Sequence, residues 1–224
     1  SEIIDGEILD VASSNTSTGH RFHHHGLVTI NHANDYEQLM KDAHVLVDYQ
    51  ARQDLISEQI KAEAEKISGV ALVDQELLEE VTSIVEWPVS LIGSFDKEFL
   101  NVPPEPLIYS MKDHQKYFPV NDAKGNLLNQ FIFVSNIESK DPTQVIKGNE
   151  KVIRPRLADA EFFFKTDKKQ SLESRLTSLE NVLFQKQLGT LKEKSTRIAS
   201  LSAYVAAKVG ESSELAHRAG LLCK

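Results

Sequence analysis

Between Val145 and Lys169 the chain reads VIKGNEKVIRPRLADAEFFFKTDKK, with seven basic side chains (Lys147, Lys151, Arg154, Arg156, Lys165, Lys168 and Lys169) and three successive phenylalanines, Phe162 to Phe164. Cations at this density can neutralise phosphate, while the aromatic run anchors the segment in a core. A plain solvated helix is the competing explanation. Glu150 and Arg154 are spaced i,i+4 and Arg156 and Asp159 i,i+3, and surface pairs of that kind contribute only about 0.2–0.5 kcal/mol. Arg154 directly precedes Pro155, and a residue in that place is pushed out of the helical region. That argues against its pairing with Glu150 and leaves at least one arginine for a binding role.

A second group of candidates lies in Ser110 to Phe118, SMKDHQKYF. Lys112, His114 and Lys116 could grip phosphate beside an aromatic surface. Equally, the three could meet the carbonyl end of their own helix, with Tyr117 and Phe118 in the core. The histidines His20, His23, His24 and His25 invite a metal, and His23 and His25 would share a face on a strand. Two same-face imidazoles do not complete a zinc sphere, so a solvated loop or surface strand is the preferred assignment. The ten glycines never take the spacing of a phosphate-cradling loop.

The elements that must position these residues follow from periodicity. Strands are expected within Ser1–Val11 and His20–Ile30, separated by a Ser/Thr/Asn loop over Ala12–Gly19. From Asn34 or Asp35 as a cap, helical spacing runs from Tyr36 to about Lys66, as one long helix or two in series, ended by Gly69. Gln75–Glu86 predicts an amphipathic helix with Leu77, Leu78, Val81, Ile84 and Val85 on one side. Val89–Phe95 follows as a strand, Pro103-Pro104 opens a short helix to about Gln115, and a hairpin joins Lys116–Val120 to Phe131–Asn136 around Gly125. Asp141-Pro142 starts a helix that should break or kink at Arg154-Pro155. Beyond Thr166 the leucine spacing predicts helix only.

With 224 residues, 41% hydrophobic and 26% charged, the chain can bury one large core or two smaller ones. Its net charge of -8 argues against a surface that coats nucleic acid throughout, so any polyanion must meet a local patch. Asp35–Glu86 holds thirteen acids and four bases, whereas Lys147–Lys169 holds seven bases and four acids. The single cysteine, Cys223, fits a reducing compartment. No apolar run has the length of a membrane span. The chain starts without Met and stops at Lys224 inside a helical pattern, as an internal fragment of a larger protein would.

GHRF (19–22), LLEEV (77–81), VEWP (85–88), SMKDHQKYFPV (110–120), FIFVSNIESKDP (131–142), GNEKVIRPRLADAEFFFKTD (148–167), LFQKQLGTL (183–191) and HRAGLLCK (217–224) together resemble the β subunit of bacterial glycyl-tRNA synthetase of the two-subunit type. The resemblance covers nearly the whole chain. It implies a cytoplasmic ligase of two α and two β chains that charges tRNA(Gly) with glycine. ATP, with Mg, would be used at the α subunit, and no cofactor would be bound by this fragment.

The order of expected elements divides the chain near residues 165–185 into an α+β part and an all-helical tail, and the same resemblance implies one domain of that α+β kind for residues 1–165. This would be a mixed or antiparallel sheet domain with a helical insertion at about 35–68, similar to the editing-type domain of the phenylalanyl-tRNA synthetase β subunit. An all-α linker at 166–185 and the start of a degenerate HD-like domain at 186–224 would follow. HD chemistry needs a His, a His-Asp pair and a distant Asp around metal; the corresponding places hold Lys194 to Arg197 and Leu222-Cys223-Lys224, so metal-dependent hydrolysis is not expected. No catalytic residue is assigned. Lys112, His114, Lys116, Lys147, Lys151, Arg154 and Arg156 stand as candidates for holding tRNA backbone. The alternative is a purely architectural role for the same charges, between domains or against the α subunit.

Overall fold

The computed structural model describes residues 14–224, so the strand expected within Ser1–Val11 lies outside the described residues. Two compact units divide the chain, one ending at Glu161 and the other running from Phe162 to Lys224. The chain is α+β, with every strand pairing antiparallel among the described residues.

In the first unit, β1 (Thr16–Thr18) pairs with β2 (Leu27–Thr29). The polar stretch expected as loop therefore contains a strand: with Thr at both ends it suits an exposed two-stranded edge. The helical region splits into α1 (Tyr36–Asp42) and α2 (Tyr49–Lys66). His44 takes a left-handed conformation, φ 61°, between them, and Asp48 restarts the helix by accepting from the Ala51 amide at 2.8 Å. Arg52 fastens this restart, donating to the carbonyls of Leu46 and Thr82. At the other end Ser68, φ 54°, makes the left-handed turn. Gly69 is needed for closeness instead, since a Cβ there would meet Val120 Cγ1 at 2.5 Å.

β3 (Val70–Ala71), β5 (Phe118–Asn121), β6 (Leu127–Ser135) and β4 (Val89–Ser94) form the main sheet, in that spatial order. α3 (Gln75–Ile84) and α2 cover one face, where Ile56, Ile60, Leu77, Leu78 and Val81 pack with Phe118, Val120 and Ile132. The segment read as an insertion thus supplies one layer of the core. Ile84 does not join the apolar side of α3 and is exposed, while Val85, already extended, is buried. The helix ends three residues before Trp87-Pro88, so the chain leaves the helical register before the proline acts.

Alternation along β6 puts Phe131 and Phe133 on the opposite face. Tyr117 stacks on Phe131 there, ring centroids 4.7 Å apart, and Gly93 leaves room for the Phe131 ring. α4 (Pro104–Tyr109) and a π-helical turn, Ser110–His114, lead into β5. α5 (Pro142–Asp167) lies on this second face, tied by the Tyr117 hydroxyl donating to Asn149 Oδ1 at 2.7 Å.

α5 is not broken at Arg154-Pro155. Lys151, whose carbonyl loses its amide partner to the proline ring, is exposed, as is Pro155, so water can satisfy that carbonyl. Ile153 and Leu157 are fully buried on either side of the proline, and their burial outweighs the local cost. The expected aromatic anchor does not form among the described residues: Phe162 and Phe163 are 61% and 62% exposed.

The second unit departs further from the all-helical expectation. Residues 166–185 hold the end of α5, two 3-10 turns (Glu173–Arg175 and Ser178–Asn181) and β7 (Leu183–Gln185), which pairs with β8 (Gly189–Thr190). Ser171, Ser174 and Ser178 bond to backbone three residues away, at 3.3 Å (Ser174 N to Ser171 Oγ), 2.7 Å (Ser174 Oγ to Ser171 O) and 2.6 Å (Ser178 Oγ to Arg175 O). Those local bonds favour tight turns over a regular helix. α6 (Leu191–Val209) begins on a capping box of Thr190 and Glu193 and ends on Gly210 at φ 82°. α7 (Ser213–Leu222), capped by Ser212, folds back on α6 with Gly220 against the Ala199 backbone.

Candidate nucleic-acid interface

The seven candidate residues separate into two sets, those engaged by carboxylates or rings and those that are not. Lys112 reaches Asp74 at 2.6 Å and Lys116 reaches Glu80 at 2.8 Å. Asp74 also caps α3, accepting from the Glu76 and Leu77 amides. The Lys112 ammonium, with those amides, holds its carboxyl below the usual carboxylate range. The cleft around these groups, about 170 Å³, is lined by Asp74, Glu76, Leu77, Glu80, Lys112, Asp113 and Lys116. Four carboxylates against two ammonium groups make it a poor cradle for phosphate. His114 sits edge-on to Tyr109, centroids 5.2 Å apart. The lysines meet Asp74 at the cap of α3 and Glu80 within it, 38 and 36 residues earlier, and not the carbonyl end of their own helix. Tyr117 and Phe118 are core, as one of the two expectations had it.

On α5, Arg154 pairs with Asp96 at 2.9 Å. Glu150 is turned elsewhere, its Oε1 accepting from the Ser94 amide at 2.8 Å and the Ser94 hydroxyl at 2.7 Å. The Glu150 to Arg154 pair is therefore absent for a different reason than proline: both side chains are taken by the strand and turn beneath. A cleft of about 320 Å³ there, lined by Ser94, Phe95, Asp96, Glu150, Lys151 and Arg154, balances its charges.

Lys147, Lys151 and Arg156 are exposed, and among the described residues none has an ion pair within 4.0 Å. At about 100° per residue Lys147 and Lys151 share one flank of α5, while Arg156 lies about 140–180° around from them. They can neutralise phosphates along two sides of a helix but cannot converge on one.

The histidine run is not a strand but a turn. His20 is only 1% exposed, and the ring of His23 stacks between those of His20 and His44 at 4.6 and 4.9 Å. His44 is a partner that sequence spacing did not supply; its left-handed backbone, rare for anything but Gly, Asn, Asp and His, was not legible either. Among the described residues, no group of three or more His, Cys, Asp and Glu side chains is placed to hold a metal ion, and no helix is long and apolar enough to cross a membrane.

The family model described as glycyl-tRNA synthetase beta subunit matches residues 1–224. Among curated proteins the chain is similar to the glycine-tRNA ligase beta subunit of Colwellia psychrerythraea, with 69% identity over 224 residues, covering 100% of this chain and 33% of the relative. The corresponding subunits of Pseudoalteromonas translucida and Psychromonas ingrahamii are 60% and 59% identical, each over 100% of this chain and 32% and 33% of their own lengths. The chain thus spans about a third of the length of the curated relatives it matches.

Proposed function

Because the chain belongs to the glycyl-tRNA synthetase β-subunit family, we propose that it serves the ATP-dependent glycylation of tRNA(Gly) by helping to hold the tRNA backbone, not by carrying the aminoacylation site. Its partners in this role are the α subunit, which uses ATP with Mg, and the tRNA, in the cytoplasm. The observation that carries the proposal is the exposure of Lys147, Lys151 and Arg156 with no ion pair within 4.0 Å among the described residues, on a helix of a chain whose net charge is -8. A cation already paired must lose that pair before it meets phosphate; these three need not.

The antiparallel sheet with helices on both faces supports a likeness of residues 1–165 to an editing-type synthetase domain. The packed pair α6 and α7 supports residues 186–224 as the start of an HD-like domain.

The test uses the assembled α/β enzyme carrying Lys147→Ala, Lys151→Ala and Arg156→Ala together. The KM for tRNA should rise, and the salt dependence of binding should weaken by about two to three in the log-log slope, near 0.7–0.9 for each phosphate no longer neutralised. Wild-type KM and salt slope in the triple variant would reject the role.

A second, architectural role is favoured for Lys112, Lys116 and Arg154 by their ion pairs to Asp74, Glu80 and Asp96. Arg154→Ala should then leave the tRNA KM unchanged while lowering the stability of the sheet unit by less than about 1 kcal/mol, as expected for an exposed pair.

A further inference from the structure

The histidines left without a role lie where the β1–β2 hairpin and α1 meet the end of β6. His20 accepts from the Phe22 amide through Nδ1 at 3.2 Å, and its Nε2 lies 2.6 Å from the Asn136 carbonyl. The ring therefore carries its proton on Nε2, donates to that carbonyl, and keeps Nδ1 unprotonated. His23 Nε2 accepts from the Glu138 amide at 3.0 Å, which requires that nitrogen to be unprotonated. The His44 ring continues the stack to Trp87, 4.8 Å away and edge-on, and its Nδ1 is buried without a hydrogen-bond partner among the described residues. Asn136 completes the junction, its Oδ1 accepting from the Glu86 and Trp87 amides at 2.8 and 2.9 Å.

We propose that this cluster is an acid-sensitive clasp: protonation of His23 Nε2 sets its N–H against the Glu138 N–H and breaks that link between the turn carrying His20 and His23 and the stretch that leads into α5.

Among the described residues, the titratable groups facing His23 are His20 from its own turn, His44 from the loop after α1, and Glu138 from the segment after β6. Burial first, then the two imidazoles, hold its pKa below the ordinary 6.5, and the Glu138 carboxylate opposes them. A histidine lowered in the folded state binds fewer protons there than when unfolded. The clasp is therefore at full strength above 6.5 and weakens as pH falls from that value through the lower folded one.

Trp87, the only tryptophan, gives the cluster its own reporter. The experiment titrates the whole chain from about pH 8 to about pH 5, following the Phe22 and Glu138 amides by nitrogen-15 NMR and Trp87 by fluorescence. The wild type should show one step below 6.5 in all three signals. In His23→Gln, whose amide oxygen can accept from Glu138 without titrating, that step should be lost, while His25→Gln, at an exposed position, should retain it. An unchanged step in His23→Gln, or no step in the wild type, overturns the clasp. Should His23→Gln not fold at high pH, His44→Asn decides, since Asn tolerates the left-handed backbone. Removing one facing imidazole must move the midpoint upward, and an unmoved or lowered midpoint overturns the proposal equally.

Discussion

Tyr117 carries three kinds of information in one side chain: it is 5% exposed, stacks on Phe131, and donates its hydroxyl to Asn149 of α5. Burial pushes its phenol from 10.0 up to about 12. An acid raised in the folded state holds its proton more tightly there than in the unfolded chain, so the associated stability is intact below pH 10 and is lost as pH rises through about 12. Tyr117→Phe should cost about 1 kcal/mol in urea unfolding near neutral pH. Above pH 10 its deficit relative to the wild type should shrink, because only the wild type has a phenol to ionise there. That Tyr117 is core follows from its place before a strand; its bond to Asn149, 32 residues on, is visible only in the fold. Lys112 and Lys116 show the same limit. Their charge and spacing are plain in the sequence, but the acids that engage them, Asp74 and Glu80, come from another helix.

Among the elements, α5 and β4 depend on each other. Successive outward amides of an edge strand alternate, and on β4 those of Ser90 and Ser94 are covered by Gln59 Oε1 from α2 and Glu150 Oε1 from α5, each at 2.8 Å. Side-chain acceptors on a sheet edge hinder pairing with another chain. The continuity of α5 makes its proline a removable cost. Pro155→Ala should restore the amide bond to the Lys151 carbonyl and raise stability by about 2 kcal/mol, once the added freedom of the unfolded chain is subtracted. Thermal unfolding measures this, and a helix broken at Arg154 would instead give little change. Sequence rules mark residue 155 as a break or kink but cannot weigh the cost of the proline against Ile153 and Leu157, both fully buried.

At the scale of the whole molecule the chain is two units with different construction, a sheet covered on both faces and a hairpin with two packed helices. In the second unit a Cβ on Gly220 would come within 2.7 Å of Ala199 Cα. Gly220→Val should therefore separate α6 from α7, lowering stability by about 2 kcal/mol or more through overpacking, with faster amide exchange across Leu191–Leu222. Unchanged exchange there would mean that the two helices do not rely on this close approach. The sequence by itself determined the α+β class, the order of the strong helices and the β5–β6 hairpin, and the family. Each of these is written in local periodicity, in Gly, Pro and Asp signals, or in long runs of specific residues. Only the tertiary structure decided which cations are unpaired among the described residues, which histidines stack, and whether α5 survives its proline. Those outcomes depend on groups between roughly 20 and 115 residues apart in the chain, whose approach is set by core packing, and core packing leaves no short-range pattern to read.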